Sequence, residues 1–139
     1  MLDFLEKEQI DPGILEGIRA YRAKYPLPPE QQARVPQPRY RYYGREVWEA
    51  AAAALLCGAN LLLAGSKATG KNVLAENLAR TFQRPAWDVS FHVNMDAASL
   101  IGMDTFEDGR VTFRPGPVYL CAQNGGFGVL DEINMAKNE

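Results

Sequence analysis

The chain has 139 residues, enough for one compact domain or a piece of a larger one. An apolar fraction of 47% fits a folded protein, and a formal charge of −2 leaves no basic footprint for nucleic acid. The longest apolar run, Ala50 to Leu63, is broken by Gly58 and Asn60 and falls short of a bilayer span, and the charged N-terminus excludes a signal peptide, so no membrane association and a cytoplasmic location are expected.

Asp11-Pro12 is a cap followed by proline at the first helical position, and Ile14, Ile18, Tyr21 and Tyr25 then recur at helical spacing. Pro26, Pro28, Pro29, Pro36 and Pro38 predict an end to that helix and an extended linker. The arginines at 34, 39, 41 and 45 read as a solvated part of it. Residues 1–39 therefore form an N-terminal helical segment with a proline-rich linker, and residues 40–139 the main domain.

In the main domain, Arg45 to Cys57 carries Val47, Trp48, Ala51, Leu55 and Leu56, a buried helix stopped by Gly58. Asn60 to Ala64 is a short apolar run, predicted to be a buried parallel strand. A glycine-flanked loop follows, then a helix from Lys71 with Leu74, Leu78 and Phe82 on one face, closed by Pro85. Trp87, Val89, Phe91 and Val93 alternate with Asp88, Ser90, His92 and Asn94, a strand with two unlike faces. Asp104 to Phe113 reads as a β-hairpin around Asp108-Gly109, with Glu107 opposite Arg110 and with Phe106, Val111 and Phe113 on one face. Val118 to Asn124 is a short helix ended by Gly125-Gly126, and Phe127 to Leu130 is a further core strand. Strands alternating with helices predict an α/β fold with a parallel sheet and flanking helices. Cys57 and Cys121 have no metal-ligand spacing and read as buried thiols.

The chemistry concentrates in Gly65-Ser66-Lys67-Ala68-Thr69-Gly70-Lys71-Asn72, between a predicted strand and a predicted helix. Glycines let backbone N–H groups turn inward on a triphosphate, the helix N-terminus adds a favourable dipole, and Lys71 reaches the β- and γ-phosphates. The pattern ordinarily ends in a hydroxyl residue that ligates Mg²⁺; here Asn72 stands there, and its amide oxygen is the candidate ligand. The second element is the apolar strand ending in Asp131-Glu132. Ligands bind at that end of an open α/β sheet, so Asp131 is a candidate Mg²⁺ ligand and Glu132 a candidate base that polarises water. His92 reads as a solvated or hydrogen-bonded strand residue. Asn94, at the end of the neighbouring strand, is a candidate switch that holds Glu132 from the water, beside the simpler reading of a polar strand end.

Together these elements resemble the P-loop NTPase fold of the AAA+ ATPases, and more narrowly their MoxR-type, dynein-related branch. The residues that carry the resemblance run from Tyr42 to the C-terminus: the loop with its flanks, Ser99-Leu100-Ile101-Gly102, Arg114-Pro115-Gly116-Pro117-Val118, and Gly128-Val129-Leu130-Asp131-Glu132-Ile133-Asn134. The resemblance implies ATP and Mg²⁺ as cofactors, with Gly65 to Val73 around the phosphates and Tyr42 to Gly44, including Tyr43, against the adenine. It implies catalytic roles for Lys71 and Glu132 and a metal role for Asp131. It further implies that the 104–113 hairpin interrupts a helix and faces the pore of a hexameric homo-oligomer. Protein substrates, and partners with von Willebrand A domains, follow from the same resemblance.

The family's fold also needs later strands, a sensor residue, an arginine finger and a helical lid. The expectation is that these residues are the N-terminal part of the ATPase core, truncated after the Asp131-Glu132 strand, with exposed sheet edges and no activity alone. In the family's sheet, a later strand separates the 60–64 strand from the 127–130 strand, so those two should not pair. Three functions compete: an ATP-driven remodeller of proteins, a nucleotide-binding regulatory module that hydrolyses slowly because of Asn72, and a GTP or nucleic-acid motor of a related branch.

Overall fold

The computed structural model describes residues 1–136, and the chain condenses into two compact units, Met1–Arg84 and the residues from Pro85 onward. It is a mixed α/β structure with a small parallel sheet and an antiparallel hairpin.

In the first unit, helix α1 (Leu2–Lys7) leads into α2 (Pro12–Lys24). The Asp11 carboxylate accepts the N–H groups of Gly13 at 2.8 Å and Ile14 at 3.3 Å, the predicted cap. Helices α3 (Arg45–Leu56) and α4 (Lys71–Phe82) also stand where the apolar spacing put them. The stripe Leu74, Leu78 and Phe82 of α4 is buried, with Leu15 and Ile18 of α2 and Trp48, Ala51 and Ala52 of α3. The Tyr21 ring meets Phe82 edge-on at 5.2 Å.

Two arginines clasp α2 to the end of α4. Arg22 Nε donates to the Thr81 carbonyl at 2.7 Å, and Arg84 Nη1 donates to the Tyr25 carbonyl at 3.2 Å. The Thr81 carbonyl is among the last of α4, where a cation is also favoured by the helix dipole. Burial, with Arg80 and Arg19 nearby, lowers the Arg22 pKa from its ordinary value.

Several expectations for this unit are corrected. Asn60 to Ala64 forms no strand, and Leu62 is 85% exposed. A strand exists only by pairing with a neighbour, and among the described residues no strand pairs with this run. The proline-rich segment is not simply extended: Pro29–Arg34 coils into a 3₁₀ helix and Val35 is buried. Arg39 and Arg41 are exposed, as expected, and their guanidinium groups also lie over the Tyr40 and Phe4 rings. Only one face of α3 is buried; Val47 is exposed, and so is Cys57.

In the second unit, β1 (Ala86–Ser90) pairs in parallel with β4 (Phe127–Asp131), Trp87 opposite Gly128 and Ser90 opposite Asp131. Trp87 and Val89 are buried while Asp88 and Ser90 are exposed, the predicted two-faced strand. It ends at Ser90, however, and Phe91 to Asn94 leave it. The N–H of Phe91 still bonds the Asp131 carbonyl at 2.9 Å, but β4 ends at Asp131, so the ladder has no further partner. A Cβ on Gly126 would sit 2.3 Å from the Trp87 ring and 2.8 Å from the Pro85 carbonyl, so the glycine permits the close approach that starts β4. The hairpin β2 (Gly102–Glu107) and β3 (Arg110–Pro115) has the predicted register, with Glu107 opposite Arg110 and Phe106 opposite Val111. It stands between two short helices, α5 (Ala97–Ile101) and α6 (Pro117–Gln123). The Gly116 N–H bonds the Ile101 carbonyl at 2.8 Å and closes its base. Cys121 is half-buried rather than buried, and desolvation raises its thiol pKa.

Replacing Arg22 by Met should remove its half of the clasp while keeping the aliphatic stem, lowering the unfolding free energy by about 1–3 kcal/mol; denaturant titration measures it. A second effect concerns acid. Glu49 accepts from Arg45 Nε at 2.8 Å and from the Asp11 N–H at 2.9 Å, and these bonds hold its carboxyl below the usual range. A depressed folded pKa stabilises above the unfolded value, near about pH 4, and that contribution disappears as pH falls through the folded value. Glu49→Gln should therefore flatten the acid limb of a stability-against-pH curve and leave the neutral region nearly parallel to wild type.

Candidate functional site

The loop between Gly65 and Gly70 gets its shape from three residues at positive φ: Gly65 at 159°, Ala68 at 63° and Gly70 at 83°. Ala68 is the costly one, since a side chain in the left-handed region is disfavoured. Gly70 has a second reason to lack a side chain. A Cβ there would lie 3.4 Å from the Tyr42 ring, so the ring rests on the glycine.

Within the loop, Thr69 Oγ1 donates to the Ser66 carbonyl at 2.9 Å. The Lys71 ammonium donates to the carbonyls of Gly65 at 3.0 Å and Ser66 at 2.8 Å. Lys71 is thus folded over the loop from the first turn of α4. Gly70 stands at the N-cap without a side chain to satisfy the first N–H groups of the helix. Backbone donors at a helix start, a left-handed turn and one lysine are a donor set suited to a triphosphate. Ser66, Lys67 and Asn72 are exposed around it, and Val73 lies in the first turn of α4.

The segment 40–44 is strapped beside this loop. Asn77 of α4 is fully buried, and its amide nitrogen donates to the Tyr40 carbonyl at 2.9 Å and to the Val73 carbonyl at 2.7 Å. Trp48 Nε1 donates to the Tyr42 carbonyl at 2.8 Å. Gly44, at a φ of 142°, turns the chain into α3 and leaves Tyr43 67% exposed. The sequence alone singled out neither Asn77 nor Trp48 for this work. An asparagine interrupting the apolar face of the helix was the available signal for the first.

In the second unit, the parallel pairing puts the C-terminal ends of β1 and β4 side by side, as expected of the strand that carries the acids. Asp131 ends β4, and its carboxylate accepts the Glu132 N–H at 3.0 Å. Glu132 is exposed and holds the left-handed conformation, φ 53° and ψ 38°. Asn94 lies in a turn beyond the end of β1, exposed, its N–H bonded to His92 Nδ1 at 3.3 Å. It is thus not the strand-end residue expected, and His92 is hydrogen-bonded but outside the strand. Among the described residues no group of three or more His, Cys, Asp or Glu could hold a metal. A Mg²⁺ that travels with a nucleotide needs only one or two protein ligands, because phosphates and waters supply the rest. A carboxylate such as that of Asp131 in the second unit, or an amide oxygen such as that of Asn72 in the first, is by itself a ligand of that kind.

Residues 60–139 match the family described as AAA domain (dynein-related subfamily). The uncharacterized protein YojN of Bacillus subtilis is 38% identical over 130 residues, covering 91% of this chain and 42% of its own length. Uncharacterized proteins of Staphylococcus saprophyticus (39% over 85 residues, 58% of this chain and 32% of its own) and Staphylococcus epidermidis (36% over 105 residues, 72% and 40%) are also similar. The chain therefore spans less than half the length of these relatives. No helix among the described residues is long and apolar enough to cross a membrane.

Replacing Asn77 by Ala should free the Tyr40 carbonyl from α4. The expected cost is about 1–3 kcal/mol of stability, together with faster amide exchange in residues 40–44. Unchanged exchange there would mean that Asn77 does not hold the strap.

Proposed function

The chain belongs to the dynein-related AAA domain family, a family of P-loop ATPases, and from that premise we propose that it is the nucleotide-binding part of an ATP-driven remodeller of proteins. The observation that carries this reading is the loop: a left-handed Gly70 opening α4, with Lys71 folded over the loop it follows. Lys71 has a flexible stem, so its ammonium can exchange two loop carbonyls for phosphate oxygens without moving the helix. The loop N–H groups and the N-terminus of α4 supply fixed dipoles where negative charge must be held. The strap from Tyr42 to Gly44 offers an exposed aromatic beside the loop, suited to a purine base.

Bound Mg²⁺ would neutralise phosphate charge and orient the γ-phosphate for in-line attack. Asp131, and independently the Asn72 amide oxygen, are the candidate protein ligands for it. Glu132 would accept a proton from the attacking water. The exposed apolar face of the hairpin, with Phe106 74% and Val111 68% exposed, suits contact with a polypeptide. A ring of like subunits, and a von Willebrand A domain partner, belong to the same proposal. Asn72 also favours a second reading, a binding module of slow turnover, since an amide replaces the hydroxyl that normally completes the metal site.

In the whole protein, Lys71→Ala should weaken ATP binding by about tenfold or more. Glu132→Gln should keep binding and slow phosphate release by roughly 10²–10⁴-fold. Asn72→Thr separates the two readings: a large gain in turnover points to the slow module, and little change points to the remodeller. ATP binding insensitive to Lys71 would remove the basis of both.

A further inference from the structure

We propose that Phe4 of α1 is a positioning residue for the nucleotide base, acting through Tyr43. This rests on the reading that the 42–44 strap lies against the base, and it adds a part of the chain that lies outside the family match. The Phe4 ring meets the Tyr43 ring edge-on, with centroids 5.3 Å apart and planes at 86°. Edge-to-face pairs of this kind have a definite geometry and fix the angle of both rings. The Arg41 guanidinium lies 5.8 Å from the centre of the Phe4 ring, a second contact that holds α1 against the strap.

The backbone of the strap is already fastened by other groups. Asn77 takes the Tyr40 carbonyl, Trp48 takes the Tyr42 carbonyl, and the Tyr42 ring rests on Gly70. Those contacts place the Tyr43 backbone beside the phosphate loop but leave its side chain 67% exposed. An exposed tyrosine on irregular chain samples several rotamers, and stacking a base on it must stop that motion. Phe4 supplies the restraint in advance. It is half-buried, whereas its neighbour Leu5 is fully buried and anchors α1 in the core with Ile10 and Ile18. Phe4 can therefore be altered without removing the anchor of the helix.

The test compares two ligands of the whole protein by calorimetry: ATP, which has a base, and inorganic tripolyphosphate, which has none. Wild type is expected to prefer ATP. Phe4→Leu keeps apolar bulk but loses the ring. It should lower the affinity for ATP about two- to tenfold, the scale of one aromatic pair, and leave tripolyphosphate affinity unchanged. Phe4→Tyr should restore the preference. If Phe4→Leu keeps the full preference for ATP, Phe4 plays no part while the base reading of the strap stands. If wild type itself shows no preference, the base reading falls and the Phe4 role falls with it. Equal loss of both ligands in Phe4→Leu would mean a general disturbance of the fold and would also overturn the proposal.

Discussion

A buried amide ties the segment at 40–44 to the helix that opens at the glycine-flanked loop. Asn77 lies on α4, six residues after the loop lysine, and is fully inaccessible to solvent. One side of α4 is committed to the core through Leu74, Leu78 and Phe82, and the start of the helix is committed to the loop. The Asn77 amide uses the remaining direction to bind the Tyr40 carbonyl, which brings a distant segment of chain to the same helix. A hydrogen bond with no competing water is worth more than an exposed one, and leaving it unmade is costly. The Tyr42 ring on Gly70 and the Trp48 bond to the Tyr42 carbonyl hold the same segment at further points.

The second unit meets a different constraint. Its parallel sheet has only two strands among the described residues, so the flanking helix and close backbone approach must compensate. α6 packs against both β1 and β4, and Gly126 lets the chain pass within contact of the Trp87 ring. The acids sit where this small sheet stops. Glu132 adopts a left-handed backbone immediately after β4, a conformation that costs about 1 kcal/mol or more for a residue with a side chain. Such strain persists only where neighbouring contacts hold it. Here the Asp131 carboxylate bonded to the Glu132 N–H, and the Met135 N–H bonded to the Glu132 carbonyl at 2.8 Å, supply that restraint.

Local signals were legible and pairing signals were not. The Asp11-Pro12 cap, the 74–78–82 stripe and the Asp108-Gly109 turn depend on residues close in sequence, and each formed where its pattern put it. The run from Asn60 to Ala64 has strand composition, but a strand also requires a partner, and composition carries no information about one. Trp87 to Val93 shows the same limit: alternation continues to Val93, while pairing ends where β4 ends. Helix α1 was missed because six residues hold too few periodic positions to read. The loop was legible because a phosphate cradle demands glycines and a lysine at fixed spacing. The strap was legible only through resemblance, since its fastening comes from Asn77 and Trp48, residues whose types suggest core rather than site.

Binding and hydrolysis consequently stand on unequal supports. The residues read for phosphate and base lie within one compact unit, and most of their donors are backbone groups fixed by local turns. A substitution such as Asn at position 72 leaves those donors untouched. The residues read for hydrolysis depend on side-chain chemistry: one carboxylate for a metal, another for a proton, and an amide where a hydroxyl is usual. An amide oxygen can ligate Mg²⁺, but it sits one atom farther along its side chain, and Mg²⁺ tolerates little departure from octahedral geometry. On the proposed reading, position 72 is where affinity for nucleotide and the rate of its hydrolysis would diverge, because an amide there would alter metal ligation without altering the cradle.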